Sequence, residues 1–156
     1  YTKKFDNLLV LRSFTKSFGL AGIRVGYAVS SKQIIDILKK LQIPWSVNAI
    51  AQDAALISLK DKTFLKKTNS LIKNEIEFLE KSINKLPYLS CQKTNTNFIL
   101  IKTNINSTLL QKKLLEKKIL VRDCKNFRGL DNRFIRIAAK NHKENVKLIS
   151  TLENLR

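Results

Sequence analysis

Ser13-Phe14-Thr15-Lys16-Ser17-Phe18-Gly19-Leu20-Ala21-Gly22-Ile23-Arg24-Val25-Gly26 is the stretch that decides the reading of this chain. It follows a short apolar run at residues 7–12, which predicts a buried strand. Three glycines in eight residues break that pattern. Ile23–Val29 predicts a second strand. A lysine that bonds a carbonyl must shed its proton, which burial and neighbouring cations favour. A loop just after an apolar strand makes burial of Lys16 the expectation. Arg24 and Ser13 are the residue types that bind a phosphate, through a planar fork of N–H donors and a hydroxyl. Alone, such a lysine is usually solvated surface, and such an arginine a salt-bridge partner. Neither residue type marks a site by itself.

Outward from this stretch, Ser31 predicts a helix cap, with Ile34, Ile35 and Leu38 on one helical face to about Leu41. Pro44 breaks it. Residues 47–59 resume a helical pattern. Asp61 predicts the cap of a long helix to about Leu86, with apolar residues at three- and four-residue steps. Strands are predicted at 97–102, 119–122 and 133–138, and helices at 107–118 and 141–155. Asn141 with Glu144 resembles a capping box. The pattern is α/β, with a boundary expected between residues 1–59 and 60–156. Two strands at 1–30 make a poor sheet alone. The chain therefore reads as the back half of something larger.

The chain has 156 residues, 30 Lys+Arg and 12 Asp+Glu, for a formal charge of +18. This raises nucleic acid as a partner. The cations are scattered lysines, however, with no compact basic block interleaved with aromatics, so nucleic acid is not the expected partner. Cys91 and Cys124 stand far apart and outside any CxxC pair, which argues against zinc and for reduced thiols. No metal is expected. No apolar run reaches the roughly 20 residues of a membrane span. The expectation is a cytoplasmic protein without a membrane partner.

Residues 13–26 resemble the lysine signature of the aspartate-aminotransferase group of pyridoxal-phosphate (PLP) enzymes: small residue, lysine, small residue, glycine, arginine eight after the lysine, then glycine. The resemblance implies the C-terminal part of a PLP-dependent transferase fold, namely the end of a large mixed-sheet domain and a small α/β domain. It implies PLP as cofactor, Lys16 as the residue that bonds it, and Ser13 and Arg24 on its phosphate, with Thr15 as a further donor. It also implies a homodimer in the full-length protein. The family's other cofactor contacts lie upstream of the lysine, and Tyr1–Asp6 show none. The chain is thus expected to be a C-terminal fragment, inactive alone.

Two further arginines narrow the branch. Arg136 lies between apolar residues in Phe-Ile-Arg-Ile-Ala, where a charge is costly unless paired. The resemblance makes it the substrate-carboxylate residue; an edge-strand salt bridge is the alternative. Arg122, fourteen residues earlier, resembles the substrate-phosphate arginine of the sub-branch that takes small phosphorylated substrates; a strand-end surface arginine is the alternative. That sub-branch holds threonine-phosphate decarboxylases of cobalamin biosynthesis and histidinol-phosphate aminotransferases. Residues 119–138, with Cys124, Asn126 and Gly129-Leu-Asp131, resemble the decarboxylases most, as does Pro44-Trp-Ser-Val-Asn48-Ala. Gly19-Leu-Ala-Gly22 is generic to the aminotransferases. Asn97 before Phe98 fits the family strand, or a purely structural role. The expected activity is decarboxylation of threonine phosphate, with the aminotransferase as alternative. A non-catalytic PLP-fold binding protein is a third reading.

Overall fold

The computed structural model describes residues 1–155. The chain divides into two compact units, one of Tyr1–Lys66 and one from Lys67 onward.

In the first unit, β1 (Val10–Ser13) and β2 (Gly26–Val29) form an antiparallel ribbon, with Val10 opposite Val29 and Ser13 opposite Gly26. Both strands are shorter than residues 7–12 and 23–29 suggest. On the side of β1's start, side chains replace the ladder. Ser30 Oγ donates to the Leu8 carbonyl at 2.7 Å, and Ser31 Oγ to the Asp6 carbonyl at 2.9 Å. Ser31 does precede α2 (Lys32–Leu41), but its hydroxyl is spent on Asp6 and makes no cap bond to the helix. Between the two strands lies α1 (Phe14–Ser17), a single turn the sequence did not announce. Its Phe14 is buried, with ring centroids of Phe18 at 5.4 Å and Tyr27 at 5.6 Å. Gly19, at φ +67°, ends the turn in a conformation that costs glycine nothing. α3 (Ala49–Lys60) is capped by Asn48, whose Oδ1 accepts from the Ala51 N–H at 2.8 Å. Before it stands Trp45, at φ +62° and 97% exposed.

α4 (Phe64–Ile83) carries the boundary between the units in its first turn. Asp61 caps it as expected: its Oδ1 accepts from the Phe64 N–H at 2.9 Å. The second unit continues with β3 (Leu89–Cys91), β4 (Phe98–Thr103), α5 (Ser107–Glu116), β5 (Arg122–Asp123), β6 (Phe134–Ala138) and α6 (His142–Glu153). The four strands form one antiparallel sheet in the order β3-β4-β6-β5.

Strand alternation sorts the sheet's two faces. Ile99, Ile101, Ile135 and Ile137 point inward and join Leu79 and Ile83 of α4, Leu110 and Leu114 of α5, and Leu152 of α6 in one core. Each fully buried aliphatic side chain contributes about 1.5–3 kcal/mol relative to exposure. The other face carries Phe98, Leu100 and Arg136.

The strand expected at 119–122 is corrected to Arg122–Asp123. α5 ends with Lys118 at φ +60°, the Lys118 N–H bonded to the Leu115 carbonyl and the Ile119 N–H to that of Leu114. The chain then leaves the helix with Val121 buried and its carbonyl held by Gln111 Nε2 at 2.7 Å. Pairing with β6 starts only after that bond. Among the described residues, no helix is long and apolar enough to cross a membrane.

Candidate active site

In the first unit the ribbon register brings residues 13–16 alongside residues 24–26: Ser13 pairs with Gly26, and the Phe14 N–H bonds the Val25 carbonyl at 3.4 Å. Ser13 Oγ accepts from the Thr15 N–H at 3.0 Å, which leaves its own O–H free to donate. Arg24 stands at φ +55°. A non-glycine residue in that region is uncommon and costs energy. One of the Arg24 guanidinium N–H groups, at Nη1, bonds the Ala21 carbonyl at 3.0 Å, and the others remain available.

Lys16 departs from expectation. It sits on α1, and its side chain is exposed. The physical reason is the turn itself: Phe14 faces the aromatic cluster, so Lys16, two residues on, faces away. Nothing else in the two-stranded ribbon lies over it.

The local charge suits an anion. No Asp or Glu occurs between Asp6 and Asp36, a span containing Arg12, Lys16, Arg24 and Lys32. Among the described residues, neither Lys16 nor Arg24 has a carboxylate partner. A hydroxyl donor, a free guanidinium edge and an unpaired amine fit a phosphorylated aldehyde.

In the second unit, Arg122 and Arg136 are Cα partners across β5 and β6 and therefore share one face. Both line a cleft with Gln111, Leu120, Val121 and Ala138. Arg136 is half-buried in an internal strand, not an edge strand. Its guanidinium carbon lies 5.0 Å from the centroid of Phe98. Arg122 is exposed on edge strand β5. Its guanidinium is 5.3 Å from the centroid of Phe127, and Nη2 donates to Asn126 Oδ1 at 3.0 Å. Among the described residues, neither arginine has a carboxylate partner. Like charges directly opposite are destabilising. An anion would remove that cost for both.

One neighbour, Cys124, feels this charge. Burial pushes the Cys124 thiol up, and the guanidinium groups of Arg136 and Arg122 pull it back only in part, with Asp123 pushing up. Burial also pushes the Asp123 carboxyl up. Hydrogen bonds from the Lys125 N–H, Thr108 and Ser107, with the Lys125 charge, outweigh this and hold it below the ordinary range. Sequence reasoning passed over Asp123 and Phe98. The available signal for Asp123 was an acid alternating with arginine beside the apolar run Ile-Leu-Val.

Residues 2–152 match the model of the family described as aminotransferase class I and II. The chain belongs to that family. It is a family of PLP enzymes. Among its relatives is a protein of Caldanaerobacter subterraneus subsp. tengcongensis named "Putative threonine-phosphate decarboxylase", 41% identical over 154 residues, covering 98% of this chain and 42% of the relative. The histidinol-phosphate aminotransferase of Methanosphaera stadtmanae is 33% identical, with 98% and 42% covered. The crystal structure of the histidinol-phosphate aminotransferase from Clostridium acetobutylicum superposes with a TM-score of 0.90 at 34% identity, covering 99% of this chain and 47% of that one. The chain thus spans less than half the length of these relatives.

Proposed function

We propose that this chain is the lysine-bearing part of a PLP enzyme that decarboxylates L-threonine O-3-phosphate. Lys16 bonds the cofactor, and Ser13, Thr15 and Arg24 hold its phosphate. Arg122 takes the substrate phosphate and Arg136 the carboxylate. The domain reading of residues 1–59 and 60–156 goes with this: the first is the end of a cofactor-binding domain, the second a small domain.

One observation carries the substrate reading: two guanidinium groups, directly opposite on one sheet face, without a carboxylate partner among the described residues. A substrate bearing both a phosphate and a carboxylate neutralises both. When bound, PLP supplies a ring that accepts the electrons of a bond broken at the amino acid's α-carbon. Arg136 selects that bond by the way it orients the carboxylate. With PLP bound, one orientation of the carboxylate by Arg136 would favour its loss as carbon dioxide. In another orientation Lys16 would instead take the proton from Cα.

The second outcome is transamination, and the similarity to histidinol-phosphate aminotransferases favours it as a second reading. Histidinol phosphate lacks a carboxylate, but the amino-acid co-substrate has one for Arg136. The test is an assay of the full-length enzyme with both substrates. Carbon dioxide from threonine phosphate without added keto acid supports the decarboxylase. Keto-acid-dependent consumption of histidinol phosphate, with none from threonine phosphate, overturns it.

A further inference from the structure

Arg122 sits where electrostatics oppose it. It lies on a two-residue edge strand, opposite another arginine. So short a strand offers few ladder bonds to resist the repulsion. The next residue supplies what the ladder lacks. Asp123 points to the opposite, buried face, paired with Ile135. Its Oδ1 accepts from Ser107 Oγ at 2.8 Å and from the Lys125 N–H at 3.0 Å. Its Oδ2 accepts from Thr108 Oγ1 at 2.7 Å. Lys125 Nζ lies 3.8 Å from the same Oδ2 and donates to Thr108 Oγ1 at 3.0 Å. Ser107 and Thr108 are the first two residues of α5, where Asn106 already caps the helix. The carboxylate is therefore not needed as the cap. What it does is tie β5 to the start of α5.

We propose that Asp123 is a positioning residue for substrate phosphate: by pegging β5 to α5 it holds Arg122 opposite Arg136 before any anion arrives. The inference rests on the proposed role of Arg122. Preorganisation of this kind lowers the cost of binding, because the two cations need not be brought together by the ligand. It acts on the phosphate-bearing ligand and leaves its dephosphorylated counterpart indifferent.

The test uses the full-length, PLP-loaded enzyme. Dissociation constants are read from cofactor absorbance for threonine phosphate against threonine, or histidinol phosphate against histidinol, whichever phosphate ester is turned over. Arg122→Gln serves as the reference variant. Asp123→Ala is expected to weaken the phosphorylated ligand about tenfold, the loss of roughly one charged hydrogen bond, and to leave the other ligand nearly unchanged. Asp123→Asn should recover most of that loss, since Ser and Thr hydroxyls turn to suit an amide. If Asp123→Ala does not fold, Thr108→Val carries the test, with a smaller loss in the same direction. A purely structural role would weaken both ligands alike, and that result overturns the inference. If Arg122→Gln separates the two ligands and no Asp123 or Thr108 variant does, the inference alone falls. If Arg122→Gln separates nothing, the substrate reading falls and takes the inference with it.

Discussion

Asn145 Nδ2 donates to Glu75 Oε2 at 2.8 Å, joining α6 to α4 across 70 residues of sequence. Both side chains are buried. The same amide donates to the Lys140 carbonyl at 2.9 Å, and its oxygen accepts from the Lys140 N–H at 3.1 Å. His142 Nδ1 stands 3.1 Å from Glu75 Oε1, on a mostly exposed ring. Asn145 is therefore the buried partner that keeps a carboxylate tolerable inside the second unit.

Replacing Asn145 by Ala should lower stability by about 2–3 kcal/mol, because a buried acceptor loses its donor. Urea unfolding followed by far-ultraviolet circular dichroism measures this. Combining it with Glu75→Leu should cost less than the sum of the two single changes. A change below about 0.5 kcal/mol for Asn145→Ala, the range typical of uninvolved surface sites, would remove the bond from the account of stability.

Gly26→Ala should open the ribbon at the site. A Cβ at residue 26 would lie 2.7 Å from the Arg12 carbonyl oxygen, and backbone cannot swing aside as a side chain can. Such overpacking costs about 1–3 kcal/mol. Because Ser13 is the partner of Gly26, PLP affinity of the full-length enzyme should drop with it. Faster amide exchange at Tyr27 and Ala28 is the independent readout. Unchanged exchange and unchanged affinity together would contradict the register.

Acid should destabilise the second unit through Asp123. Its carboxyl is held below the ordinary value in the folded chain, so folding favours the charged form. That contribution is complete above the unfolded value of about 3.9 and disappears as pH falls through the lower native one. The wild-type stability should therefore fall more steeply below about pH 4 than that of Asp123→Asn. Asp131, also held low by hydrogen bonds from Arg133, is present in both proteins and cancels. Parallel pH profiles would count against the Asp123 cluster.

Thiol labelling should separate the two cysteines. Cys124 is buried with its pKa pushed up by burial, whereas Cys91 is half-buried, with its pKa raised by burial and by Glu80. Only the thiolate reacts. In native protein at neutral pH, Cys91 should label slowly and Cys124 only on unfolding. Equal native rates would place Cys124 wrongly.

Much of this was legible in the sequence because helices announce themselves locally. Asn48, Asp61 and Asn141 each accept a backbone N–H at a helix start, and Asp61 and Asn141 were readable as caps from residue type alone. Strands were less legible, since pairing is decided by distant partners. β3 follows Pro87 and is three residues long, too short to show alternation. The strand near residue 120 moved because a side-chain bond from Gln111 holds Val121. For the site, Ser13 and Arg24 were singled out through the resemblance of residues 13–26 to the lysine signature, and the ribbon brings residues 13 and 24–26 close. That Arg122 and Arg136 face each other could not be read from the sequence, because register across fourteen residues depends on the turn between them. Burial of Lys16 was misjudged because one buried phenylalanine sets which way a single turn faces.

Trp45 has an optical consequence. It is the only tryptophan in the chain, held at the surface by a left-handed backbone and almost wholly in water. Its emission in the chain as described should lie at the long-wavelength, water-quenchable end. Any molecule that settles over it will shift the emission to shorter wavelength and shield it from iodide. This chain thus carries an unlabelled fluorescent gauge of what covers Trp45, independent of turnover.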